Sequence, residues 1–161
     1  MEIERKWLIK TLPDLSGIKR VEFERYFVFI GEGVEVRVQR VDDRFEFERK
    51  IETSKLGRDE VKFEIIEAEF DFYKSISTQS IIRDAYELSV SPNISIKIYH
   101  GDYEGLKRVE VEFDSESEAE RYTPSEWFGR EITETPVGRD KNLIQLNKDQ
   151  FLKILQELQN E

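Results

Sequence analysis

Five stretches of this chain alternate apolar and polar side chains residue by residue, a pattern that admits few folds. Val34, Val36 and Val38 alternate with Glu35, Arg37 and Gln39, and Phe45, Phe47 and Ile51 with Glu46, Glu48, Lys50 and Glu52. Val61, Phe63 and Ile65 alternate with Arg58, Glu60, Lys62 and Glu64. Ile94, Ile96 and Ile98 alternate with Ser95, Lys97 and Tyr99, and Val109, Val111 and Phe113 with Arg108, Glu110 and Glu112. A period of two predicts strands with one apolar and one charged face. Residues 21–30 and 81–88 read as further, less regular strands. Alternation alone fits best an antiparallel sheet with one face in water. The alternative is a sheet closed into a barrel with the charged face inward.

Short linkers such as Gly31-Glu32-Gly33 and Val41-Asp42-Asp43-Arg44 suit antiparallel neighbours. Residues 66–79 carry Ile66, Phe70, Tyr73 and Ile76 at helical spacing. Ser115 with Glu118 caps a short helix to about residue 121. Asn147 with Gln150 caps a C-terminal amphipathic helix bearing Phe151, Ile154, Leu155 and Leu158. No segment reads as an interdomain linker, so residues 1–161 are expected to form a single α+β domain.

Without cysteine, disulfides and zinc–thiolate sites are excluded, and the single histidine, His100, excludes sites needing two imidazoles. A net charge of −10 argues against a nucleic-acid partner. No apolar run suggests a leader or a membrane partner, and a cytoplasmic location is the expectation. Sequence leaves a homodimer open, since it would rest on an exposed apolar patch.

The N-terminal Glu2-Ile3-Glu4-Arg5-Lys6-Trp7 places Glu2, Glu4 and Lys6 on one strand face. Two carboxylates about 7 Å apart can share or flank a divalent cation, and the lysine can hold the anion such a cation attracts. Glu110-x-Glu112 repeats the spacing, and Trp127-Phe128-Gly129-Arg130-Glu131 offers another acid. Lys6, Arg37, Lys50, Arg58 and Arg83 could clamp phosphate oxygens. No glycine-rich Walker loop is present. His100 reads as solvated and Trp127 as packing at a barrel end.

These motifs resemble the CYTH domains, or triphosphate tunnel metalloenzymes. Glu2-Ile3-Glu4-Arg5-Lys6 is similar to the family's E-x-E-x-K, Arg37-Val38-Gln39 to R-x-R, and Phe47-Glu48-Arg49-Lys50 to L-T-I-K. Arg58 to Lys62 resembles R-x-E-x-E, Gly105 to Glu112 resembles G-L-x-x-x-E-x-E, and Trp127 to Thr133 resembles W-L-G-x-E-V-T. The resemblance implies an eight-stranded antiparallel β-barrel forming a tunnel, with helices packed outside. It implies Mg²⁺ or Mn²⁺ on Glu2, Glu4, Glu110 and Glu112, and a triphosphate-containing small molecule on Lys6, Arg37, Lys50, Arg58 and Arg83. Glu4, Lys6 and Glu131 would be the catalytic or water-orienting groups. Hydrolysis of inorganic tripolyphosphate is the leading activity. Class IV adenylate cyclase chemistry and a degenerate polyphosphate- or nucleotide-binding protein are the alternatives. Four positions depart from the pattern: Gln39 and Ala85 replace arginines, and Lys62 and Lys97 replace acids.

Overall fold

Each alternating stretch forms a strand in the computed structural model, which describes residues 1–77 and 79–160. The strands are β1 (Glu2–Ile9), β2 (Val21–Gly31), β3 (Val34–Val41), β4 (Arg44–Glu52), β5 (Gly57–Ile65), β6 (Ser80–Val90), β7 (Asn93–His100), β8 (Lys107–Phe113) and β9 (Phe128–Glu131). The helices are α1 (Glu67–Ile76), α2 (Glu116–Arg121), α3 (Asp140–Leu143) and α4 (Lys148–Gln159). Thr78, within the expected helix 66–79, and Glu161, the last residue of the expected domain, lie outside the described residues. No described helix is long and apolar enough to cross a membrane.

All strand pairs are antiparallel, in the order β5-β4-β3-β2-β6-β7-β8-β1, and β1 returns to β5 to close an eight-membered ring. The short β9 adds to β1 beyond the end of β5, making nine strands where eight were expected. Closure demands strong curvature, and bulges at 27–29 in β2 and 87–89 in β6 supply part of it. The β2–β3 hairpin turns on Glu32 and Gly33, both at positive φ (52° and 74°), as a two-residue hairpin of matching twist requires.

Most buried apolar residues fall into two clusters. Outside the ring, Ile3, Trp7, Ile96, Val109, Val111 and Phe113 pack against Ala119 of α2 and Phe128 of β9. Trp127, expected at a barrel end, joins this outer cluster, edge-on to Phe128. Inside, parity predicts a charged lumen throughout, yet at one end the inward positions become Leu8, Phe27, Ile81, Tyr99 and Leu106. They bury against Ile132, Val137, Leu143, Ile144, Phe151 and Leu155, so the C-terminal segment floors the ring. α4 is held there by its capping box, with Asn147 Oδ1 accepting from the Gln150 amide and Gln150 Oε1 from the Asn147 amide. α1 covers β2–β4, and Phe72 and Ile76 on it remain exposed, as do Ile66 before it and Val61 and Phe63 of β5.

Phe151 is fully buried in the floor and meets Tyr103 edge-on. Phe151→Ala should cost about 3–5 kcal/mol, read as a lower urea midpoint with unchanged m-value. An unchanged midpoint would contradict the floor's role.

Candidate functional site

The inward parity of eight strands builds one ionic cavity of about 150 Å³, room for roughly five waters at their liquid volume. Its wall carries Glu2, Glu4 and Lys6 of β1; Phe23 and Arg25 of β2; Arg37 and Gln39 of β3; and Glu48 and Lys50 of β4. Arg58, Glu60 and Lys62 of β5, Arg83 of β6, Asn93, Ser95 and Lys97 of β7, and Arg108, Glu110 and Glu112 of β8 complete the strand contribution. Arg139 and Asp140 enter from the floor. Ten bases face seven acids, so a protein of net charge −10 encloses a net positive lumen. Low-dielectric walls focus that field on an entering anion.

The signs are not evenly spread. Among the described residues, β2, β6 and β7 bring Arg25, Arg83 and Lys97 to the cavity and no acid. On the other side acids and bases interleave. Arg58 donates to Glu35 at 2.5 Å and to Glu2 and Glu4 at 2.8 Å each. Lys50 Nζ lies 2.6 Å from Glu2, Lys6 Nζ lies 2.9 Å from Glu4, and Arg37 bonds Glu35 and Glu48. Burial would raise the Glu4 carboxyl, but Lys6, Arg58 and Lys50 outweigh it and hold it well below the usual range. Burial pulls Lys6 down to about 8 despite Glu4 and Glu110.

Toward the mouth, negative charge is in excess. Burial together with Glu2, Glu4 and Glu60 pushes the Glu112 carboxyl up. Burial with Glu2 and Glu48 pushes Glu60 up, against Lys50. Mutual repulsion of carboxylates is what a bound cation relieves. Among the described residues no three such groups converge as a ready-made cation cage, because Glu2 and Glu4 are drawn onto Lys50, Arg58 and Lys6. Glu110 is likewise drawn to Arg108, at 2.8 Å.

The structure therefore brings Glu2, Glu4, Lys6, Arg37, Lys50, Arg58, Arg83, Glu110 and Glu112 to one lumen. Glu131 is a correction. It pairs in register with Trp7, whose side chain faces outward, so Glu131 faces outward too. There it holds Arg5 through two bonds, of 2.5 and 2.9 Å. His100 also lies outside, against Asp84 at 2.8 Å.

Sequence reasoning missed a deeper cluster. Asp140, at the start of α3, accepts from Arg25 at 2.7 Å, Arg108 at 3.3 Å and the Tyr99 hydroxyl at 2.5 Å. It reaches the floor on a turn that only glycine permits: a Cβ on Gly138 would lie 2.2 Å from the Ile132 carbonyl oxygen. Asp140 belongs to no alternating stretch, so periodicity carried no signal for it. Arg25 and Arg108 did sit at inward parity beside recognised motifs. Burial together with Arg37 and Arg83 brings the Arg25 guanidinium down to about 10.

The register also explains the four departures. Gln39 stands directly across from Arg25, whose Nε and Nη2 both donate to its Oε1. Ala85 stands across from Lys97, and Lys62 across from Glu48. Arg25 and Lys97 thus supply the charges missing at Gln39 and Ala85, and Glu48 answers Lys62, while Lys97 itself faces only Ala85 and Arg108 and no acid.

Known proteins share this closed antiparallel ring. An inorganic triphosphatase of Nitrosomonas europaea is 28% identical over 146 residues, covering 88% of this chain and 95% of that protein. The crystal structure of the inorganic triphosphatase NE1496 superposes with a TM-score of 0.66 at 25% identity, over 91% of this chain and 95% of that one. A putative adenylate cyclase from Bacillus halodurans shares the fold, with a TM-score of 0.56 at 14% identity over 74% of this chain and 84% of that one. No protein-family model matches. These likenesses support the resemblance to the CYTH, or triphosphate tunnel, proteins.

Burial would raise Asp140, but Arg83, Arg108 and Arg25 hold it well below its ordinary 3.8. A carboxyl depressed on folding adds stability above its unfolded pKa and loses it as pH falls below that value. Asp140→Asn should thus cost about 3–5 kcal/mol at neutral pH, by leaving buried arginines uncompensated. Its denaturation midpoint should also depend less steeply on pH below 4 than the parent's. Equal midpoints at pH 7 would show that the cluster is not under this electrostatic load.

Proposed function

We propose that this protein is a metal-dependent triphosphatase that hydrolyses inorganic tripolyphosphate inside the lumen. The carrying observation is the sorting of charge: crowded carboxylates near the mouth, and an acid-free basic wall on β2, β6 and β7. The N. europaea relative, an inorganic triphosphatase, supports the reading.

Oxygen-only donors, with the Glu112 carboxyl pushed up by burial and its acidic neighbours, suit a hard divalent cation, and Glu2, Glu4, Glu110 and Glu112 would hold Mg²⁺ or Mn²⁺. Bound there, the ion would neutralise phosphate charge and acidify a water. Arg37, Lys50, Arg58 and Arg83 grip phosphate oxygens, arginine in two-pronged fashion. Arg58 and Lys50 are free to do so once Glu2 and Glu4 have another cation to face. Glu4 orients the attacking water, which adds in line to the terminal phosphorus and gives up its proton to solvent. Lys6, with its pKa near 8, carries on Nζ the proton that the departing phosphate oxygen takes as its P–O bond breaks.

Cyclisation of ATP would need a seat for the nucleoside. Among the described residues, Phe23 is the only aromatic side chain on the cavity wall, and the far end is floored by packed apolar residues. That favours the inorganic substrate.

The test is product release from tripolyphosphate, ATP and thiamine triphosphate, each with Mg²⁺, Mn²⁺ or EDTA. Metal-dependent orthophosphate release should be fastest from tripolyphosphate. Glu4→Gln should slow it by about a hundredfold or more, the equivalent of roughly 3 kcal/mol. Cyclic AMP and pyrophosphate from ATP would overturn the reading in favour of a cyclase. Binding without turnover of any substrate would leave a binding protein.

A further inference from the structure

The cations of the lumen differ in how fully they are paired. Arg58 makes three bonds of 2.8 Å or less to carboxylates, and Lys50 and Lys6 each have a carboxylate oxygen within 2.9 Å. Arg83 has no such partner: it reaches Tyr99 Oη at 3.4 Å, Glu110 at 3.6 Å and Asp140 at 3.9 Å. Its Nε is buried with no acceptor. Lys97 forms no ion pair within 4 Å among the described residues. Its ammonium stands 5.5 Å from the Phe23 ring centroid, and the Arg83 guanidinium stands 5.3 Å from the same ring. Two under-paired cations thus converge over one aromatic ring, on the wall that carries no acid. Arg83 is buried and Lys97 half-buried, so leaving them under-paired is costly, since a charge withdrawn from water without a partner loses hydration. Burial pulls Lys97 down to about 8, with Glu110 opposing and Arg83, Arg25 and Arg108 adding to the pull. A ligand anion would remove that cost.

Register sets the depth. On β7 Asn93 pairs with Glu112 at the mouth, while Lys97 pairs with Arg108. Four residues of strand separate the two levels, about 13 Å. Lys97 extends toward Phe23, which lies opposite Arg83, itself opposite Tyr99 and so deeper still. The small Ala85, directly across from Lys97, leaves the space for it. One phosphate at the mouth acids cannot also touch Lys97, whereas a chain of phosphates can span both.

We propose that Lys97 and Arg83 form a distal phosphate subsite over Phe23, and that Lys97 sets the preference for tripolyphosphate over shorter phosphates. The inference rests on the lumen being a phosphate-chain site, but not on turnover. It is tested by calorimetric binding of tripolyphosphate, pyrophosphate and orthophosphate to the full chain in EDTA at pH 7. Lys97→Met should weaken tripolyphosphate binding about tenfold or more, as expected for loss of a charge-assisted contact. Pyrophosphate binding should change less than tripolyphosphate binding, and Lys97→Arg should restore most of the preference. Lys97→Gln, polar and uncharged, serves as a second variant should the methionine disturb folding, with the same expected loss. Equal weakening for all three phosphates, or none for tripolyphosphate in a folded variant, would overturn the subsite. A parent that binds tripolyphosphate through Lys97 yet hydrolyses nothing would sink the enzymatic reading and keep this one.

Discussion

The ring is closed at its weakest seam by Arg58. Between β1 and β5 only Glu2 with Arg58 and Ile3 with Gly57 pair along the backbone, against eight residue pairs between β3 and β4. Across that seam the Arg58 guanidinium binds Glu2 and Glu4 of β1 and Glu35 of β3, and Lys50 of β4 reaches Glu2. The residues that complete the barrel are therefore those of the proposed chemistry. Buried ion pairs contribute little net stability, because desolvation offsets most of their attraction. Their use here is exchange: in the proposed reaction a cation replaces the bases around Glu2 and Glu4, and phosphate replaces the acids around Arg58 and Lys50. Charge stays balanced before and after.

Much of this was legible in the sequence because strand parity is a local rule. Once a segment alternates, every second residue faces one way, and a charged face on five segments is a charged lumen if the sheet closes. Alternation could not reveal closure itself, since a solvated sheet shows the same pattern. The spacing of Glu2, Glu4 and Lys6, with its echo at Glu110 and Glu112, tipped the reading toward a barrel. Helix ends were equally local, and Ser115 and Asn147 cap where their side chains imply.

What stayed hidden is non-local. Glu131 shares the short pattern of the motif it resembles, but its facing is decided by pairing with Trp7, 124 positions away in the chain. Asp140 enters the lumen on an irregular turn set by the tight approach of Gly138 to Ile132. The apolar floor interrupts the charged face because the C-terminal segment packs there, which no strand announces. The departures at 39, 62, 85 and 97 read as losses one strand at a time. Paired across the sheet, three of them have their charge supplied or answered by a neighbour, and Lys97 is left as an added base on the acid-free wall.

The most direct test of this account is a crystal structure of the protein soaked with tripolyphosphate and Mn²⁺, with the metal located by its anomalous scattering. The account predicts manganese against Glu2, Glu4 or Glu112, phosphate oxygens on Arg58 and Arg83, and the Arg58–Glu2 and Arg58–Glu4 contacts broken. A phosphate chain outside the lumen, or one inside it with those contacts intact, would contradict it.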